Sequence, residues 1–104
     1  MGIFDMLFGK GTSAADLKEL YKNGAIIVDV RTPAEFQQGH IKNSINVPLQ
    51  SIQQNIQQLK QKNKPVITVC LSGRRSSSAA SILKGAGVEA YNGGPWTSMQ
   101  NIIG

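Results

Sequence analysis

Apolar positions along the chain follow two kinds of pattern. Apolar runs without polar alternation occupy 25–30, which contains the single charged residue Asp29, and 65–69. Such runs are typical of parallel strands buried on both faces. In 13–23 and 49–61, apolar residues recur at helical spacing, which predicts amphipathic helices. Because strands that alternate with helices form a parallel sheet, we expect an α/β fold. The architecture predicted is a three-layer α/β/α arrangement with a central, mostly parallel sheet.

Local signals predict where the other elements begin and end. Ser13 with Asp16 opens the first helix, and Gly24 follows its end. Thr32-Pro33-Ala34-Glu35 has the form of a capping box with proline at the first helical position, so a short helix should run from there to Gly39. The remaining elements expected are an extended segment at 45–48, a helix at 76–84, a strand at 88–91, a turn at 92–95 and a last helical segment from Trp96 to Ile103.

Length and composition indicate one globular domain. The chain has 104 residues, 40% hydrophobic and 16% charged. We expect a domain at 12–104 preceded by an apolar segment at 1–11, which could pack on the domain, mediate dimer contacts or touch a membrane surface. One cysteine cannot form an internal disulfide. No apolar run is long enough to span a membrane and no export signal is recognisable, so the expected location is cytoplasmic.

The chain is basic, with 11 Lys and Arg against 6 Asp and Glu for a net charge of +5. The densest cluster, Lys60, Lys62 and Lys64, is interpreted as the basic end of a helix. Basic residues do not alternate with aromatic ones, so a nucleic-acid partner is not expected. A diffuse positive field would instead attract small anions.

The candidate chemistry lies in the loop 70–76, because the single cysteine stands where a strand should become a helix. Unpaired N–H groups and the helix dipole stabilise an anion at such a junction. They can lower a cysteine pKa from about 8.5 to roughly 3.5–7.5. Gly73 permits the positive φ that turns loop amides inward. Cys70 is therefore a candidate thiolate nucleophile, the alternative being a small buried apolar residue.

Other polar residues could support this cysteine. Arg74 and Arg75 add positive charge, and Ser76 suits a helix start. Asp29 at a buried strand end needs donors, and Arg31 is the nearest candidate, in an ion pair or in a substrate role. One further residue, His40, is the only histidine and could act as a general base or be structural. One cysteine and one histidine make no credible metal site, and no cofactor is expected.

Taken together, these motifs resemble the rhodanese domain family in its small single-domain form. The resemblance spans about 13–99 and rests on Asp29-Val30-Arg31, Glu35-Phe36, Gly39-His40-Ile41, Ser44-Ile45-Asn46-Val47-Pro48, the cysteine loop and Gly93-Gly94. It implies a cysteine that accepts a sulfane sulfur as a persulfide and passes it to a thiophilic acceptor.

The resemblance also implies roles by position. Cys70 would carry the sulfur, Arg75 would close the cradle, and the cradle itself would consist of backbone N–H groups of residues 71–75, which include Leu71, Ser72, Gly73 and Arg74. Leu71 stands where the family often has a charged or polar residue. Trp96 comes earlier than the tryptophan of many members, which would fall near Ser98.

The candidate functions of this site are sulfur transfer, phosphatase or arsenate reductase activity, and a sulfur relay or sensor role. Related phosphatases place the loop arginine six positions after the cysteine, whereas Arg75 lies five positions after Cys70. This shorter loop favours sulfur transfer over phosphatase or arsenate reductase activity. The expected donors are small sulfur-containing anions such as thiosulfate or polysulfide, or a persulfide, with thiols as acceptors. Alternatively the domain is a sulfur relay or sensor that acts with a partner protein. The oligomeric state is not indicated.

Overall fold

The computed structural model describes residues 12–104, so the predicted apolar segment 1–11 lies outside the described residues. Within 12–104, none of the helices combines the length and apolar character needed to cross a membrane. The elements in chain order are α1 (Ala14–Lys22), β1 (Ile26–Asp29), α2 (Pro33–Gln38), β2 (Ile45–Asn46), a 3-10 turn (Leu49–Ser51), α3 (Ile52–Gln61), β3 (Val66–Cys70), α4 (Arg74–Gly85), β4 (Ala90–Pro95) and α5 (Trp96–Ile103).

The described strands form one four-stranded sheet in the order β2-β1-β3-β4. All three strand pairs are parallel, with Val28 of β1 opposite Ile45 on one side and Thr68 on the other. Every residue of central strand β3 is buried, as expected of a parallel strand covered on both faces. The predicted α/β fold with a central parallel sheet is confirmed.

Two apolar clusters, one on each face of the sheet, make up the core of residues 12–104. One cluster packs α3 and α4 on the sheet and comprises Val28, Val30, Val47, Ile52, Leu59, Val66, Cys70, Ala79, Ala80, Leu83, Val88 and Ala90. The other packs α1 and α5 on the opposite face and comprises Leu17, Ala25, Ile27, Ile41, Ile67, Val69, Tyr91 and Met99. The layers are therefore α/β/α, as predicted.

Both predicted capping boxes are present. Ser13 and Asp16 cap α1 reciprocally, and Thr32 and Glu35 do the same for α2. The helix expected over 49–61 is divided, because Ser51 N–H donates to Pro48 O at 2.8 Å and tightens the first turn into a 3-10 turn.

The turn predicted at 92–95 was wrong, whereas the strand expected at 88–91 is present but starts two residues later and is longer. Strand β4 starts at Ala90 and continues through the two glycines to Pro95. Thr68 pairs with Asn92 and Val69 with Gly94, so Gly93 is an extra residue in a bulge. A Cβ on Gly93 would lie 2.7 Å from Ile67 Cγ2 and 2.9 Å from Thr68 O. Only glycine fits this close approach of β4 to β3.

Candidate active site

Cys70 is the last residue of β3 and is fully buried, with 0% exposure. Its sulfur lies at the carboxyl edge of the sheet, beside the start of α4. Gly73 N–H donates to Sγ at 2.9 Å and Ser76 N–H donates at 3.3 Å. Ser76 Oγ is also 3.3 Å from the sulfur. Polar groups of Gly73 and Ser76 thus converge on one sulfur atom.

Gly73 sets the direction of these donors. Its φ is +99°, in the left-handed region, and it is the N-cap of α4. This conformation is accessible to glycine at little cost. With Gly73 in this conformation, α4 begins at Arg74, two residues before the predicted start at 76. The Ser76 N–H is then within hydrogen-bonding distance of Cys70 Sγ. The N-cap amide of Gly73 and the amide of Ser76, the third residue of the helix, therefore donate to the sulfur.

The pKa of the Cys70 thiol reflects two opposing effects. Burial raises the pKa, since it disfavours the charged form. Hydrogen bonds from the Ser76 hydroxyl and from the backbone N–H groups of Ser76, Gly73 and Ser72 lower it. The net result is a pKa below the ordinary cysteine value. Local dipoles thus favour the thiolate even though the side chain is buried.

Asn92 is a site residue that the sequence analysis missed. Ser76 Oγ lies 2.6 Å from Asn92 Oδ1 and 3.1 Å from Gly73 O, so its one proton has two acceptors besides the sulfur. Asn92 Oδ1 also accepts from Gly94 N–H at 2.9 Å. The only sequence signal was a polar residue directly before the paired glycines. Asn92 connects the bulged strand β4 to the hydroxyl that contacts Cys70.

We predict that Ser76→Ala raises the pKa of Cys70, because the hydroxyl donor is lost while the Ser76 backbone N–H remains. A higher pKa means that the thiolate forms only at higher pH. A titration of thiolate ultraviolet absorbance against pH measures the shift. Ser78→Ala is the matched control, since Ser78 lies on the same helix with an exposed side chain. Identical titrations for the two variants would contradict the assigned role of the hydroxyl.

Arg75 is bound by Glu35. Its Nη1 donates to Glu35 Oε1 at 2.8 Å and its Nη2 to Oε2 at 3.1 Å. The Thr32 N–H and hydroxyl both donate to the same carboxylate. The Arg75 and Thr32 hydrogen bonds lower the pKa of Glu35 to about 2. The pKa of Arg75 is raised, chiefly by Glu35 and to a smaller extent by the charge of Cys70.

Asp29 and Arg31 form a buried ion pair. Arg31 Nη2 lies 2.6 Å from Asp29 Oδ2, and Nε lies 2.9 Å from Oδ1. The guanidinium also donates to the carbonyl oxygens of Glu35 and Gly39 and lies 4.7 Å from the ring centroid of Trp96. Each guanidinium nitrogen of Arg31 therefore has a partner within the protein. The pair fixes the chain between β1 and α2.

His40 contacts α2 and not the cysteine loop. Its ring stacks on Phe36 with centroids 3.7 Å apart, and Nδ1 lies 2.7 Å from Phe36 O. Among the hydrogen bonds of residues 12–104, none joins His40 to Cys70. Nor does this part of the chain bring together three or more His, Cys, Asp or Glu side chains that could hold a metal ion.

The outer surface of the loop is formed by exposed side chains. Leu71 is 60% exposed, and the side chains of Ser72 and Arg74 also face solvent. Ser98 is exposed on α5, while Trp96 packs over Arg31. An apolar residue thus lies at the surface directly beside the buried sulfur.

A parallel α/β sheet with a cysteine held by helix and loop amides at a strand end defines a class of cysteine-loop domains. Residues 13–95 match the family model of the rhodanese-like domain. The chain belongs to the rhodanese-like domain family, as the resemblance of its motifs implied.

Curated relatives include enzymes named for sulfur transfer. Thiosulfate sulfurtransferase GlpE of Pseudomonas syringae pv. syringae is 40% identical over 68 residues, which is 65% of this chain and 63% of the relative. Thiosulfate sulfurtransferase GlpE of Ectopseudomonas mendocina is 37% identical over 84 residues, 80% of this chain and 76% of the relative. The chain thus spans somewhat less than two thirds of the Pseudomonas syringae enzyme.

Solved structures share the fold. A rhodanese-related protein from Thermoplasma volcanium has a TM-score of 0.72 and 31% identity, with 88% of this chain and 91% of that chain covered. A rhodanese with anions from E. coli has a TM-score of 0.66 and 32% identity, covering 72% of this chain and 91% of that chain. These similarities support the fold assignment.

Proposed function

We propose that this protein is a rhodanese-type sulfurtransferase in which Cys70 carries a sulfane sulfur as a persulfide. The observation that carries the proposal is the convergence of Gly73 N–H, Ser76 N–H and the Ser76 hydroxyl on Cys70 Sγ. These groups stabilise a thiolate and would stabilise the negative charge of a persulfide in the same way. The thiosulfate sulfurtransferases among its relatives support this function.

The reaction has two half-steps. The Cys70 thiolate attacks the outer sulfur of a donor such as thiosulfate, a polysulfide or a persulfide. With thiosulfate, a Cys70 S–S bond forms, the S–S bond of the donor breaks, and sulfite leaves with the bonding electron pair. A thiolate or cyanide then attacks the outer persulfide sulfur, and the Cys70 thiolate is regenerated. Covalent transfer of this kind predicts ping-pong kinetics.

A protein-partnered sulfur relay or sensor is the second candidate function. It is favoured by the burial of Cys70 together with the 60% exposure of adjacent Leu71. A partner protein docked over the recessed sulfur would bury this apolar side chain, which is favourable. Slow turnover of small donors combined with rapid exchange with a protein persulfide would favour the relay. The cytoplasmic location stays a prediction.

Intact-mass measurement tests the proposed function directly. After incubation with thiosulfate or polysulfide and removal of excess donor, we expect the protein to gain the mass of one sulfur atom. Cyanide should remove that mass and yield thiocyanate. Because the chain has one cysteine, a single added sulfur identifies the carrier. An unchanged mass with each donor, while the thiol still reacts with a small alkylating reagent, would contradict the proposal.

A further inference from the structure

Arg75, the second of the two arginines after the cysteine, is paired with a carboxylate within the protein. Both terminal nitrogens of Arg75 donate to the two carboxylate oxygens of Glu35. The two side chains are about one-third exposed, at 33% and 32%. A small anionic donor that approaches Cys70 therefore meets a paired guanidinium with a carboxylate beside it.

Glu35 is held firmly in this position. Besides Arg75, the carboxylate accepts from the Thr32 N–H at 3.0 Å and from the Thr32 hydroxyl at 3.1 Å. It is the third residue of α2, so the same side chain completes the capping box of that helix. A carboxylate held by these donor groups competes with anionic ligands for the guanidinium of Arg75.

A cavity of about 210 Å³ is lined in part by Arg75 and by Thr32, the residue that donates to Glu35. It lies at the carboxyl end of β1, where ligands of open parallel sheets bind. Its lining consists of Val30, Thr32, Pro48, Leu49, Gln50 and Arg75. Apolar side chains thus provide much of the surface next to the neutralised guanidinium. Such a cavity suits an uncharged organic group better than a sulfonate or sulfate-like group.

We propose that Glu35 is a specificity-determining residue that disfavours doubly charged inorganic donors and favours persulfides of organic thiols, whose carbon-bearing part occupies the cavity beside Arg75. This inference rests on the proposed function. Specificity follows from a repulsive element as much as from attractive contacts. Here the Glu35 carboxylate repels a dianion such as thiosulfate. It also forms hydrogen bonds with the Arg75 guanidinium, which would otherwise bind the dianion.

Sulfur transfer from an organic persulfide to Cys70 needs no further reactant. The Cys70 thiolate attacks the outer sulfur of an organic persulfide, a new S–S bond forms at Cys70, and the donor S–S bond breaks. The organic thiol leaves as its thiolate with the electron pair, and the proton of the persulfide goes to solvent. The leaving group carries one negative charge, whereas thiosulfate releases doubly charged sulfite. The organic donor therefore depends less on a free arginine.

Glu35→Gln tests the inference, because glutamine also serves in a capping box and preserves the start of α2. We expect kcat/KM for thiosulfate to rise by about fivefold, the factor that an exposed ion pair can contribute. For the persulfide of 2-mercaptoethanol the change should stay below about twofold. Glu35→Asp keeps the charge on a shorter side chain and should give a smaller rise with thiosulfate. Glu19→Gln on α1 is the control for the change in net charge.

A binding measurement separates this inference from the proposed function. In a Cys70→Ser background, which cannot form the persulfide, Glu35→Gln should tighten thiosulfate binding by about fivefold by calorimetry. Equal effects on both donors, or no effect of Glu35→Gln on thiosulfate kinetics and binding, would overturn the inference while leaving sulfur transfer intact. Absence of transfer in every variant would contradict the proposed function, and the binding comparison would still decide the role of Glu35.

Discussion

Cys70→Ser should abolish sulfur transfer, with the rate falling by at least about three orders of magnitude, as expected when a covalent nucleophile is removed. A serine hydroxyl at neutral pH is not ionised, and oxygen cannot replace sulfur as the persulfide carrier. The substitution is nearly isosteric, and the amides of Gly73 and Ser76 remain to donate to the new oxygen. Thiocyanate formation from thiosulfate and cyanide measures the loss.

The matched control for Cys70→Ser is Ser72→Ala, which alters an exposed side chain in the same loop and retains its backbone N–H. Thermal unfolding of the two variants and the parent protein shows whether the fold is preserved. Full transfer from both thiosulfate and polysulfide in Cys70→Ser would exclude a persulfide on this residue.

Arg31→Met should destabilise the protein by about 3–5 kcal/mol, the usual cost of removing one partner of a buried ion pair. Asp29 is completely buried, and its carboxylate accepts from Arg31 N–H, Nε and Nη2. Methionine fills part of the volume but leaves the carboxylate without the guanidinium. The contacts of Arg31 with Gly39 O and the Trp96 ring are lost as well. Urea unfolding gives the difference in free energy.

Arg74→Met provides the comparison, because Arg74 is exposed and should change stability by no more than about 0.5 kcal/mol. The double variant Asp29→Asn with Arg31→Met should be less destabilised than Arg31→Met alone, since the buried charge is removed with its partner. Equal unfolding free energies for Arg31→Met and Arg74→Met would contradict the structural role assigned to the pair.

Interactions between residues close in the chain were predictable. The apolar run before Cys70 indicated a buried strand, and the spacing of Thr32 and Glu35 indicated a capped helix. Asp29 and Arg31 are two positions apart, so their pairing could be considered from local sequence. In each case neighbouring residues alone determine the pattern.

Contacts between distant segments were not predictable. Arg75 and Glu35 are 40 positions apart, and Ser76 and Asn92 are 16 apart. Both contacts depend on how elements far apart in the chain pack together, α4 against α2 in the first case and α4 against β4 in the second. The Asn-Gly-Gly-Pro stretch carries a local turn signal, yet pairing with β3 draws it into a bulged strand. Tertiary packing overrode local preference there.

Because Cys70 is completely buried, the ionisation of its sulfur and the access of reagents to that sulfur are determined separately. A lowered pKa increases the fraction of the thiol that is nucleophilic, whereas burial restricts the reagents that can reach it. The rate of reaction at Cys70 should therefore depend on the width of the reagent. Slender molecules such as hydrosulfide or cyanide should reach the sulfur more readily than bulky disulfides. Such a steric filter would protect an activated thiolate from wasteful mixed-disulfide formation.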